Sequence, residues 1–206
     1  MNNASDVNEK LKIAKAAFDD LNFKEALPLL LELADQSVPE ACMDLGYLYK
    51  YGNEDIQADE QLSSFWYSKY FFLLKTLSNQ GDHDAAFELA CCYQYGDNIR
   101  CDEKKAVELY TNSATEGHAK SQFHLSSLWR YGWCGLPKNA QMFLYWLKEA
   151  VIAGYPEALY TKGLLSLDEA CPEQNAEGLV LVNRSADLGF WPAVEFLKRK
   201  ARSNKN

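Results

Sequence analysis

The chain has 206 residues, 48% hydrophobic and 24% charged, with 12 Tyr, 10 Phe and 5 Trp, a balance that excludes intrinsic disorder and suits one folded domain. A formal net charge of −8 works against nucleic-acid phosphates and anionic lipid. The acidity is uneven: residues 1–197 hold 16 basic against 29 acidic groups, while Lys198, Arg199, Lys200, Arg202 and Lys205 close the chain, where cations complement a helix dipole. The longest apolar runs, Tyr70–Leu74 and Leu179–Val182, fall short of the roughly 18 residues a membrane helix needs, so no membrane span is expected. The polar first ten residues carry no secretion signal. The six cysteines (Cys42, Cys91, Cys92, Cys101, Cys134 and Cys171) show no C-x-x-C spacing. They are expected as reduced thiols in a cytoplasmic protein.

In chain order, the pattern predicts helices and nothing of period two. Residues 6–37 read as one hairpin, Glu9–Asp19 followed by Phe23–Asp35, with Pro28 early in the second helix. Ala41, Leu45, Leu48 and Tyr49 then recur at helical spacing up to the Tyr51-Gly52 turn. A long helix follows at about Asp59–Asn79, with an expected core stripe of Leu62, Phe65, Trp66, Leu73 and Leu77. Beside it lie Tyr67, Phe71 and Phe72, an aromatic surplus that is either additional core or a platform for a partner. Tyr95-Gly96 and Tyr131-Gly132 end later first helices as Tyr51-Gly52 does, and second helices are expected after Asp102 and after Pro137-Lys138-Asn139.

The units repeat. Gly81, Gly117, Gly154 and Gly189 are spaced by 36, 37 and 35 residues, and each is followed four residues later by a small residue: Ala85, Ser121, Ala158 and Ala193. Such a period is the signature of a helical-repeat architecture. Small residues at Gly46, Ala90, Ser126 and Gly163 are expected where paired helices approach closely. The string Ala41-x-x-x-Leu45-Gly46-x-Leu48-Tyr49-x-Tyr51-Gly52 resembles the first helix of a Sel-one-like repeat, a relative of the tetratricopeptide repeat. Gly135-Leu136-Pro137-Lys138-Asn139, with Trp146 and Ala150 beyond, is similar to that family's inter-helix loop and second helix.

The resemblance implies an all-α, right-handed α-solenoid of about five antiparallel helix hairpins with a protein-binding concave face. Its repeats would be 38–82, 83–118, 119–155 and 156–190, after the tetratricopeptide-like hairpin 6–37 and before a C-terminal capping helix with a basic tail, 191–206, all in a single domain. The last unit departs from the family, with Leu167-Asp168-Glu169 at the turn-glycine position, as terminal repeats often do.

Chemistry is sparse. No G-x-S-x-G elbow, Walker loop or G-x-G-x-x-G is present, and His83, His118 and His124 fit no metal spacing. Neither a metal, a cofactor nor a catalytic residue is therefore expected; the different-class alternative is a hydrolase pairing Cys134 with His118 or His124. The tetratricopeptide relationship implies groove positions instead. These are Met43, Tyr47, Lys50 and Tyr51; Phe87, Cys91, Gln94 and Tyr95; and Phe123, Ser127, Arg130 and Tyr131. Aromatic and Arg side chains at such positions suit interface hot spots, with packing between hairpins the alternative for Phe87, Phe123 and the Tyr-before-Gly residues Tyr51, Tyr95 and Tyr131. The expected function is non-enzymatic protein binding. By analogy with some bacterial Sel-one-like proteins, the specific expectation is an immunity protein blocking a basic toxin or effector; a signalling or assembly adaptor is the alternative.

Overall fold

A computed structural model describes residues 3–96, 99–167 and 172–203. The described elements are helices: α1 Asn3–Asp19, α2 Phe23–Asp35, α3 Pro39–Tyr51, α4 Glu60–Asn79, α5 His83–Tyr95, α6 Glu103–Thr115, α7 Ala119–Tyr131, α8 Ala140–Ile152, α9 Pro156–Leu167, α10 Pro172–Asp187 and α11 Trp191–Ser203. The all-α class expected from the repeats is what the structure shows. Asp168, Glu169, Cys171 and Lys205, which the sequence reading singled out, lie outside the described residues. The chain forms two compact units, residues 1–101 and 102–206.

Helix boundaries follow from local chemistry. Asp59 stands at the N-cap of α4, its carboxylate accepting from the Gln61 and Leu62 N–H groups at 2.9 Å. Asn139 does the same for α8, accepting from Gln141 and Met142 at 3.0 Å. Asp82 and Asp102 cap α5 and α6 through Ala85 and Lys105. Each cap satisfies amides that a helix start leaves unpaired, typically for about 1 kcal/mol. Gly96 and Gly132 close α5 and α7 in the left-handed conformation. Gly52 ends α3 differently, at φ 61° and ψ −175°. A Cβ there would stand 2.7 Å from both the Ala58 nitrogen and the Ile56 carbonyl, so the returning 53–59 loop requires glycine twice over.

In the first unit, Leu30, Leu33, Ala41, Cys42 and Leu45 are fully buried, and Phe23, Leu48 and Ile56 form a cluster with Phe18, Leu27 and Tyr49 packed on it. The stripe that α4 buries is Ser63, Trp66, Tyr70 and Leu74. That corrects the expected stripe: Trp66 is buried, but Leu62 and Phe65 are exposed, Phe65 by 56%. The reason is that α4 is apolar on more than one side, so its neighbours choose the face. Ser63 Oγ donates to the Gly46 carbonyl at 2.9 Å, and the Tyr67 ring lies where a Cβ on Gly46 would be, 2.9 Å away. The absent side chain lets α3 and α4 meet at that distance.

The second unit has its own core. Phe143, Leu147, Ala150 and Ala158 cluster beneath Phe123, Trp129, Val151, Tyr155 and Leu165. Further along, Gly163 on α9 and Gly178 on α10 face each other, each with the other's carbonyl 2.8 or 2.7 Å from where its Cβ would stand.

Candidate protein-binding cleft

The first unit carries a cavity of about 440 Å³ between its helices. On α3, Met43, Tyr47, Lys50 and Tyr51 recur at steps of four, three and one, which on a helix places them along one stripe. That stripe forms one wall. Phe18 contributes from α1, and Tyr67, Tyr70 and Phe71 from α4; Glu88, Cys91 and Cys92 close it from α5. The rings interlock. Phe18 meets Tyr47 edge-on at 5.8 Å, Tyr47 and Tyr51 lie 4.6 Å apart, and Phe71 meets Tyr93 edge-on at 5.5 Å. Tyr51 remains 61% exposed at the rim, and the Lys50 ammonium lies 5.5 Å from its ring centre.

One charged group is set into this aromatic wall. Asp44 is only 7% exposed, and its Oδ2 is buried without a hydrogen-bond donor. Burial pushes its carboxyl up to about 6, opposed by Lys15 and reinforced by Asp19 and Glu40. The Tyr70 phenol is raised as well, first by burial, and so stays protonated at neutral pH. The cleft therefore offers apolar ring faces, an incompletely satisfied carboxylate and the thiols of Cys91 and Cys92.

The structure brings six of the proposed contact residues together here: Met43, Tyr47, Lys50, Tyr51, Tyr67 and Phe71, with Cys91 opposite. Others go elsewhere. Phe87 is buried in the core, which is the packing role rather than a contact surface, and Phe72 is 66% exposed but does not line the cavity. Gln94 is half-buried, its carbonyl accepting from Cys101 Sγ at 3.4 Å, and Tyr95 is exposed. In the second unit, Phe123 is half-buried against the core and Tyr155, and Ser127 bonds the Phe123 carbonyl. Arg130 is exposed, its guanidinium 5.4 Å over Tyr131 and 5.0 Å over Phe143, while Tyr131 stacks on Trp133 at 4.7 Å. Sequence reasoning missed Phe18, Asp44, Tyr70, Glu88 and Cys92. Asp44 was findable: it lies three and seven residues before Tyr47 and Tyr51, on their helix face.

The groups named for the hydrolase alternative lie in the second unit. Ser121, fully buried, donates to Ser113 at 3.2 Å and lies 2.8 Å from His118 Nδ1. The His124 ring packs on Tyr110 at 4.4 Å, and burial, helped by Lys120, lowers its pKa to about 4. Cys134 occupies a turn at φ 55°. Among the described residues, Cys42, Cys91, Cys92, Cys101 and Cys134 form no disulfide, and no group of three or more His, Cys, Asp or Glu is placed to hold a metal. No helix among them is long and apolar enough to cross a membrane.

The family model of the Sel1 repeat matches residues 39–69, 83–118 and 119–155, half of the chain. The chain belongs to the Sel1 repeat family. Among curated relatives of this Sel1 repeat protein, Chitin synthase regulatory factor 3 of Schizosaccharomyces pombe is 22% identical over 74% of the chain and 15% of its own length. DAP3-binding cell death enhancer 1 of Rattus norvegicus is 30% identical over 54% of the chain and 20% of its own length. The chain thus spans a fifth or less of these two relatives. A Sel1 repeat protein from Oxalobacter formigenes shares the fold with a TM-score of 0.52 at 24% identity, covering 91% of this chain and 72% of that one. A protective antigen of uropathogenic Escherichia coli, displaying an SLR fold, does so with a TM-score of 0.51 at 21% identity, covering 80% and 41%.

Proposed function

We propose that this Sel1 repeat protein works by binding another protein, as a non-enzymatic adaptor or regulatory module. The observation that carries the reading is the cleft of the first unit: tyrosines on adjacent helices line it, and its rim side chains Tyr47 and Tyr51 are exposed. Tyrosine offers contact area and a polar tip at little entropic cost, which suits interface anchors. Relatives described as a regulatory factor and as a DAP3-binding protein support a binding role. The second unit offers a further exposed cluster in Arg130, Tyr131 and Trp133.

The narrower reading, an immunity protein that blocks a basic toxin or effector inside the cytoplasm, draws on the net charge of −8. It is a special case of the same mechanism, because acidic surfaces steer basic partners. Co-purification from the native cell followed by mass spectrometry identifies the partner; titration calorimetry then compares variants. Tyr47→Ala with Tyr51→Ala is expected to weaken that complex by tenfold or more. Alanine at Cys134, His118 and His124 together is expected to leave it unchanged. Loss of biological activity in that triple variant, with fold and affinity preserved, would favour the hydrolase.

A further inference from the structure

We propose that the cleft of the first unit is a socket for an arginine side chain of the partner, the guanidinium entering between the tyrosine rings and pairing with Asp44. The inference rests on reading this cleft as the protein-binding surface. Buried carboxylates are ordinarily paired, because an unpaired charge in an apolar wall is costly. Asp44 lines the cavity and is more than nine-tenths buried, with Oδ2 lacking a donor. The wall is thus short of one cationic donor.

What surrounds Asp44 selects the occupant. Aromatic faces attract cations through the ring quadrupole, and the structure already shows this at the rim, where Lys50 lies 5.5 Å from the Tyr51 ring centre. Charge adds to it. Asp19 on α1, Glu40 on α3 and Glu88 on α5 join Asp44 against Lys15 on α1 and Lys50 on α3. The carboxylates outnumber the ammonium groups, so the local field favours an incoming cation. Arginine suits the site better than lysine: its planar guanidinium is weakly hydrated, stacks on rings and presents its donors in a rigid fork. A cavity of about 440 Å³ falls within the roughly 300–1,000 Å³ of pockets that enclose small ligands.

The test titrates the isotopically labelled full chain with three capped peptides and follows amide shifts. The probes are Ac-Gly-Arg-Gly-NH2, its lysine counterpart and its citrulline counterpart, which keeps the arginine shape without the charge. The arginine peptide is expected to give saturable shifts along residues 43–51. The citrulline peptide is expected to bind about tenfold more weakly, and Asp44→Asn to lose about tenfold for arginine. Lys50→Ala is expected to tighten binding by removing a like charge. Tyr47→Leu, which keeps apolar bulk but removes the ring, provides a second variant and is expected to weaken binding as well. No arginine binding, equal affinity for citrulline or lysine, or full affinity in folded Asp44→Asn or Tyr47→Leu would each overturn the socket. Should the arginine peptide fail while Tyr47→Ala with Tyr51→Ala still weakens the natural complex, the socket falls and the protein-binding reading stands. Retained natural affinity in that double variant removes the cleft as the binding surface, and the socket with it.

Discussion

Asp44 and His124 pull the pH dependence of stability in opposite directions. A carboxyl in an unfolded chain ionises near 3.9, whereas burial raises Asp44 to about 6 in the fold. Between those values the folded chain keeps a proton that the unfolded chain has lost, so this group favours folding as pH falls from about 6 to 4. Above pH 6 its charge cost is fully present. Asp44→Asn is therefore expected to raise stability at pH 8 by roughly 1–3 kcal/mol, because the amide keeps the shape but removes the charge whose burial lifts the carboxyl to about 6. Urea denaturation of both proteins at pH 8 and pH 4 checks this: the gain should vanish at the lower pH. His124 behaves oppositely, since burial lowers it to about 4 against about 6.5 unfolded. Its contribution is complete above pH 6.5 and is lost as pH falls toward 4. The same titration on His124→Gln should show a deficit at pH 7.5 that shrinks by pH 4.5. An equal deficit at both pH values would rule out a titrating role.

At the scale of helices, two close approaches meet different obstacles. Alanine in place of an interior helical glycine gains about 1 kcal/mol in propensity, while overpacking costs about 1–3 kcal/mol. At Gly163 the obstruction includes the Gly178 carbonyl, which is backbone, together with Val182 Cγ2 at 2.7 Å. Gly163→Ala is expected to be net destabilising and to lower Tm. At Gly46 the three nearest obstructing atoms all belong to the Tyr67 ring, a side chain that can yield by rotating into the cleft that it lines. Gly46→Ala is thus expected to change stability little but to weaken partner binding, as melting curves and calorimetry on one sample would show. The inter-helix loops share a second device. The N-cap amides of Asp59 and Asn139 donate back to the carbonyls of Tyr49 and Trp129 at 2.8 and 2.9 Å, so each cap residue holds both helices of its hairpin. Asp59→Ala or Asn139→Ala should each cost about 1 kcal/mol through the lost side-chain cap, measured as a shift in urea midpoint.

For the molecule as a whole, charge governs encounter rather than fold. The net charge of −8 acts over a screening distance that shrinks from about 10 Å at 0.1 M salt to about 3 Å at 1 M. Association with a basic partner is expected to slow across that range while dissociation changes less. Stopped-flow rates that ignore salt would remove the basic-partner part of the proposal. The C-terminal cations fit the dipole reading, with Lys200 and Arg202 in the last turn of α11. Lys198 is drawn instead to Glu195, at 2.9 Å.

The sequence by itself determined that the helices repeat and where the capped ones begin and end. The start of α1 was not legible: it begins at Asn3, ahead of the expected Glu9, because residues 3–8 are mostly polar and show no apolar stripe to read. Caps such as Asp59, Asp102 and Asn139, and turn glycines such as Gly96 and Gly132, act within four residues of their own position, so their chemistry can be read locally. The small residues Gly46 and Gly163 were legible for the same reason, as places where only a minimal side chain allows close approach. Tertiary structure alone decided which face of α4 is core, because a helix apolar on several sides has no preferred inward stripe until α3 and α5 pack on it. The same contacts took Phe87 out of the set of available surface residues, left Phe72 outside the cleft, and turned Asp44 from an ordinary helix acid into a buried one. Burial is a property of neighbours distant in the chain, and no spacing of residues within one helix encodes what will cover it.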